Sequence, residues 1–124
     1  MKSPFYLSKE EMQSYGYKIV DIIVEHYADE ENKKPVTNAT RQEMDSIFLS
    51  EAPLEATPAD EVLDFVTKNV LPNSSISSHP KYFSFVPGPS NFISTMSDSL
   101  ATGFNIFSGG WIVSPAAAEL EIVT

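Results

Sequence analysis

Met12, Tyr15, Ile19, Ile22, Ile23 and His26 recur at the spacing of one helix face. Ser8 and Glu11 stand in front of them at capping-box spacing, with Leu7 and Met12 placed as a hydrophobic staple. The pattern predicts a helix over about 9–29. Gly16 weakens it, and the polar run Asp29-Glu30-Glu31-Asn32-Lys33-Lys34 ends it before Pro35. Val20 and Val24 widen the apolar stripe until it is nearly two-sided. Such a helix is more often enclosed between partners than laid on one surface.

Thr40 and Glu43 repeat the capping box and open a short helix with Met44, Ile47 and Phe48 inward. Residues 50–57 read as a proline-interrupted linker. Thr57 is expected to cap a third helix with Pro58 at its first position, where a missing backbone N–H costs least. Val62, Leu63, Val66 and Val70 form its buried face, and Pro72 stops it. A polar loop covers 73–78. Residues 79–90 are too aromatic for a plain loop and too rich in proline for a helix or central strand, and Pro87-Gly88-Pro89 makes a stiff turn. A fourth helix is predicted over about 91–105, with Phe92, Met96, Leu100 and Phe104 inward and Gly109-Gly110 as its breaker. Ser114 and Pro115 read as cap and first position of a fifth helix, whose pattern reaches Thr124 with no stop signal. Strands are scarce and no repeat is evident. The expected class is all-α.

Composition changes this picture in two places. The length of 124 residues suits one domain, and the net charge of -9 argues against a nucleic-acid surface or anionic lipid. No apolar run is long enough to span a membrane. Met1-Lys2-Ser3-Pro4-Phe5-Tyr6 lacks a signal-peptide pattern, and there is no cysteine, so disulfides, thiolate chemistry and zinc–thiolate sites are excluded. A cytoplasmic protein is expected, in which the glycosylation patterns at Asn38 and Asn73 carry no meaning. The charges, however, are lopsided. Residues 73–124 hold only Lys81, Asp98, Glu119 and Glu121, alongside Tyr82, Phe83, Phe85, Phe92, Phe104, Phe107 and Trp111. Two readings stay open: a buried hairpin of helices within a small domain, or a surface made to be covered by another chain or a further domain.

Candidate chemistry is thin. His26 lies on a helix face and His79 opens a loop, so neither joins a ligand cluster. Metal-binding, phosphate-cradling and dinucleotide motifs are absent, and no serine has a base at a suggestive spacing. The pairs Glu10-Glu11, Glu30-Glu31 and Asp60-Glu61 fit helix starts or a solvated loop better than acid–base catalysis. No self-sufficient active site emerges. The aromatic loop, with Tyr82, Phe83 and Phe85 held by Pro80, Pro87 and Pro89, reads either as a pocket wall for a flat or apolar ligand or as aromatics anchoring a turn.

That loop also carries a resemblance. His79-Pro80-x-Tyr82-Phe83-x-Phe85-Val86-Pro87, followed by Trp111-x-x-Ser114-Pro115-Ala116-Ala117-x-Glu119-Leu120-Glu121, resembles the N-terminal region of the group II pyridoxal-phosphate-dependent amino-acid decarboxylases, which include aromatic-L-amino-acid, tyrosine, histidine and glutamate decarboxylases. It covers residues 79–121 strongly and 1–72 in helix layout. The resemblance implies an intertwined homodimer whose helical N-terminal segment clasps the other subunit. It implies that Phe85 and Val86 flank the substrate side chain, that Pro87 and Gly88 shape the pocket floor, and that Phe107 and Gly109 reach the partner subunit's pocket. Trp111 and Ser114-Pro115 would seat the helix that leads into a large α/β cofactor domain of aminotransferase type. In that family the Schiff-base lysine sits in a His-Lys motif. None of the chain's lysines occupies one, so the resemblance implies pyridoxal 5'-phosphate for the full-length enzyme and none for this chain alone.

The expectation is therefore an all-helical fragment of a decarboxylase that turns an amino acid into an amine and carbon dioxide. Its helical dimerisation segment spans 1–78, and 79–124 holds the substrate loop and the start of the large domain. The chain alone would be inert. A free-standing helical module that dimerises or binds a partner through 79–111 is the alternative, and a small pocket protein using Phe85 and Phe107 is a third.

Overall fold

A computed structural model describes residues 6–124. The signal-peptide reading of Met1–Phe5 lies outside the described residues. Within them five α-helices follow in order: α1 (Lys9–Ala28), α2 (Arg41–Phe48), α3 (Ala59–Phe65), α4 (Phe92–Phe104) and α5 (Pro115–Val123). No strand occurs among the described residues, so the all-α expectation holds. The chain separates into two units, one ending at Pro89 and one from Ser90 to Thr124.

In the first unit both predicted capping boxes form. Ser8 Oγ accepts the Glu11 N–H at 3.1 Å, and the Glu11 carboxylate accepts the Ser8 N–H at 2.6 Å. Thr40 Oγ1 and Glu43 repeat the exchange at 3.3 and 2.7 Å. Each satisfies two N–H groups that a bare helix start leaves unpaired. Tyr15 donates its hydroxyl to the Ala59 carbonyl at 3.3 Å, and Lys18 pairs with Asp60 at 2.7 Å, which ties α1 to the first turn of α3. Both charged groups of that pair are mostly in water, so it contributes under about 1 kcal/mol. The Phe48 and Phe65 rings meet edge-on at 5.6 Å and join α2 to α3.

The α3 region departs from the expected single helix. Pro58, not Thr57, is the cap, since its carbonyl takes the Glu61 and Val62 N–H groups. After Phe65 the coil widens into a π turn (Val66–Val70) and closes as a 3₁₀ turn (Leu71–Asn73). The Leu71 N–H reaches back to the Val66 carbonyl, one residue further than in an α-helix. Side chains take up the carbonyls: Thr67 Oγ1 bonds Leu63 O at 2.8 Å and Asn69 Nδ2 bonds Phe65 O at 3.0 Å. Of the expected buried face only Leu63 and Val66 are half-covered; Val62 and Val70 are exposed.

In the second unit Asn91 caps α4, its Oδ1 accepting the Ser94 N–H at 3.0 Å. The helix stops well before the glycine pair. Asn105 adopts the left-handed conformation (φ 48°, ψ 47°), and the Ile106 N–H closes on the Ala101 carbonyl at 3.3 Å. This is a Schellman-type end, which asparagine tolerates because its short polar side chain hydrogen-bonds locally. Pro115 opens α5 at its first position as expected, but the Ser114 side chain does not cap it; the Ser114 carbonyl receives the Ala118 N–H at 3.0 Å. Of the four residues expected inward on α4 only Met96 is half-covered, and Phe92, Leu100 and Phe104 are exposed.

The described residues contain no buried hydrophobic side chain.

Candidate functional site

The aromatic loop leaves the first unit from a tightly fastened turn. Ile76 N–H donates to the Pro35 carbonyl at 2.9 Å, and Ser78 Oγ donates to the Glu30 carboxylate at 2.7 Å. His79 is 4% exposed and is the single buried residue among those described. Its Nδ1 accepts the Lys81 N–H at 2.9 Å, and its Nε2 lies 3.3 Å from the Glu31 carbonyl. The Tyr82 N–H closes the turn on the His79 carbonyl at 2.9 Å.

Beyond Tyr82 the loop stands in the open. Phe85 is 92% exposed and Val86 100%. Phe85 has φ 60°, the left-handed region, which costs a residue with a Cβ roughly 1–2 kcal/mol. Strain of this kind persists where surrounding structure holds it, and it clusters at ligand-contacting sites. Val86 precedes Pro87 and is thereby biased to extended backbone. A Cβ on Gly88 would meet nothing within 4 Å, so no contact within the chain demands glycine there. Phe85, Val86, Pro87 and Gly88 thus form one contiguous, uncovered edge.

Phe107 and Gly109 come together in the second unit. A Cβ on Gly109 would sit 2.5 Å from Phe107 Cζ, so the ring occupies the space that any larger residue needs. Beside them an open groove of about 440 Å³ is lined by Gly109, Gly110, Trp111, Ala118 and Ile122, with Ser108 and Glu121 joined across it at 2.5 Å. Its walls come from one loop and α5, and it is a shallow shelf rather than an enclosed cavity.

Several of the described titratable groups are engaged within the chain. Lys18 and Lys68 are paired with Asp60 and Asp64, and Lys33 donates to the Glu25 and His26 carbonyls. Among the described residues no three potential ligands gather around a metal position. No helix of the described residues is long and apolar enough to cross a membrane. Glu43 is held below its ordinary value because its carboxylate accepts from the Thr40 N–H and hydroxyl.

No family model matches the chain. Individual proteins do. An aromatic-L-amino-acid decarboxylase of Bacillus atrophaeus is 34% identical over 125 residues, covering 100% of this chain and 26% of that protein. Tyrosine/DOPA decarboxylase 1 of Papaver somniferum is 30% identical over 122 residues, covering 94% of this chain and 23% of its own length. The fold agrees with that of Catharanthus roseus tryptophan decarboxylase, solved with L-tryptophan, at a TM-score of 0.81 and 24% identity over 98% of this chain and 26% of that one. The chain spans about a quarter of the length of the curated relatives it matches. The fold is that of an all-helical decarboxylase segment. The sequence, in turn, is that of the N-terminal region of the group II pyridoxal-phosphate-dependent amino-acid decarboxylases.

Proposed function

We propose that this chain serves a pyridoxal-phosphate-dependent decarboxylase by supplying the dimer clasp and part of the substrate pocket, the catalytic centre being held by protein outside it. The observation that carries the reading is the exposure of aromatic side chains in both units. Phe83, Phe85, Val86, Phe104, Phe107 and Trp111 are all exposed in a chain with no buried apolar side chain among its described residues. Left in water, such surface is costly at roughly 25 cal/mol per Å², so it is explained best by protein that covers it.

The residues present do not fit the cofactor. The described lysines are exposed, and Lys18 and Lys68 are engaged by carboxylates. A lysine that carries a cofactor needs an enclosed site that tunes its amine, with a carboxylate against the ring nitrogen. When bound elsewhere in the enzyme, that group supplies an electron sink for the carbanion left by loss of carbon dioxide. This chain's part is to shape the pocket: Phe85 and Val86 beside the substrate side chain, Pro87 and Gly88 beneath it, and Phe107 with Gly109 reaching the second subunit's pocket.

The test compares two proteins with pyridoxal phosphate and L-tyrosine or L-tryptophan. The complete reading frame that continues this chain is expected to release carbon dioxide and amine. The 124-residue chain alone is expected to release none and to take up the cofactor only weakly and without saturation. Saturable uptake at a single lysine of the short chain would overturn the reading.

A further inference from the structure

We infer that His79 is the positioning residue of the aromatic loop: a neutral imidazole that locks the loop's root to the connection after α1, and so aims Phe85 and Val86. The inference rests on the reading of that loop as part of a substrate pocket.

His79 is buried in a chain that buries nothing else among its described residues, and it is polar. A buried imidazole must find partners at both nitrogens. Nδ1 faces the Lys81 backbone N–H at 2.9 Å, and a backbone N–H can only donate. Nδ1 therefore holds a lone pair, the proton sits on Nε2, and Nε2 donates to the Glu31 carbonyl 3.3 Å away. Glu31 belongs to the 3₁₀ turn Glu30–Asn32 directly behind α1. The ring thus bridges two backbone segments nearly fifty positions apart. Ser78 to Glu30 and Ile76 to Pro35 fasten the same seam from the approach side.

The consequence for the loop follows from counting soft joints. The turn is closed at Tyr82 by its bond to the His79 carbonyl. Between that point and Phe85 lie only Phe83 and Ser84. Phe85 is set in the left-handed region, and Val86 is biased to extended backbone by Pro87. Without the ring the root keeps the Ile76 and Ser78 bonds but loses its ties to the Glu31 carbonyl and the Lys81 N–H, and the direction of Phe85 is held less firmly. Both imidazole nitrogens are committed to backbone, so His79 reaches no substrate atom; it acts through the loop.

The two nitrogens can be separated by substitution. In His79→Asn a short amide oxygen takes the Lys81 N–H, as in an Asx turn, but does not reach Glu31. In His79→Gln the amide N–H₂ reaches toward the Glu31 carbonyl, but nothing receives the Lys81 N–H. The experiment uses the complete enzyme that carries this chain, with L-tyrosine as probe. His79→Ala is expected to raise KM about tenfold with kcat changed less than about threefold, as when binding is lost uniformly. Asn and Gln are each expected to restore part of it. Phe85→Ala in the same background is expected to raise KM as well. If Phe85→Ala raises KM while Ala, Asn and Gln at position 79 all behave as the native enzyme, the inference falls and the pocket reading stands. If Phe85→Ala is silent, the pocket reading falls and takes the inference with it. Should the Ala variant fail to fold, Asn and Gln carry the kinetic comparison. The ring nitrogens of the unaltered protein are read by ¹⁵N NMR: a proton on Nε2 and none on Nδ1 is expected, and a protonated Nδ1 would overturn the clamp.

Discussion

Glu43 shows how far a single residue's environment can be followed. Its carboxylate accepts from the Thr40 N–H and hydroxyl, which lowers it from 4.5. A carboxyl whose folded value lies below its unfolded one stabilises the fold above the unfolded value and loses that contribution as pH falls through the folded one. On acidification from about pH 4.5 downward, the first turn of α2 should therefore open. The start of α4, locked by Asn91 and Ser94 with no titrating group, should hold over the same window. Amide shifts of Thr40 and Met44 followed against those of Asn91 and Ser94 report the difference, and simultaneous loss of both starts would contradict it. The boxes of α1 and α2 were legible in the sequence because each is a matter of two residues three apart, whereas the Asn91 cap was not read and the side-chain caps expected at Thr57 and Ser114 did not form. The role of His79 was not legible, because its partner at Glu31 is brought near only by the closing of the 76–82 turn. The fit of Phe107 over Gly109 was hidden for the same reason: the space between them belongs to the loop's backbone.

Among the elements α1 is the most telling. Of its Met12, Tyr15, Ile19, Ile22, Ile23 and His26 face all but Met12 are half-covered; Met12, in the first turn, stays exposed. The residues that made the stripe nearly two-sided, Val20 and Val24, form with Tyr17 a second strip that stays open, at 37%, 43% and 64% exposure. Replacing Tyr17 and Val24 by serine should leave helix content unchanged by circular dichroism. It should weaken self-association of the complete protein more than tenfold by sedimentation, since two sizeable apolar contacts of about 1.5 kcal/mol or more each are removed. Unchanged association would remove this strip from any interface. The end of α4 falls at Asn105, where the spacing put it, although a left-handed asparagine and not the glycine pair makes the stop. The π turn after α3 depends on Thr67 and Asn69 choosing backbone carbonyls, a competition that periodicity does not register.

At the scale of the whole chain the decisive feature is exposure. The described residues bury no hydrophobic side chain, so each unit leaves its apolar surface open to a cover. The chain alone should bind an apolar dye and self-associate at micromolar concentration, and both signals should fall when the rest of the enzyme is supplied in trans. A monomeric, cooperatively melting, dye-silent chain would show that the surface needs no cover. The lopsided distribution of charge made this legible in outline. Which side chains would lie open was not legible, because helical spacing names an apolar face without saying whether its cover belongs to the same polypeptide.

The three capping boxes draw on Ser8 and Glu11, Thr40 and Glu43, and Asn91 and Ser94, and none of these is among the exposed apolar residues of the helix faces. Two sets of positions can therefore drift apart over generations: one keeps the phase of each helix, the other decides whom the segment meets. A lineage can retune its recognition without relearning how to coil.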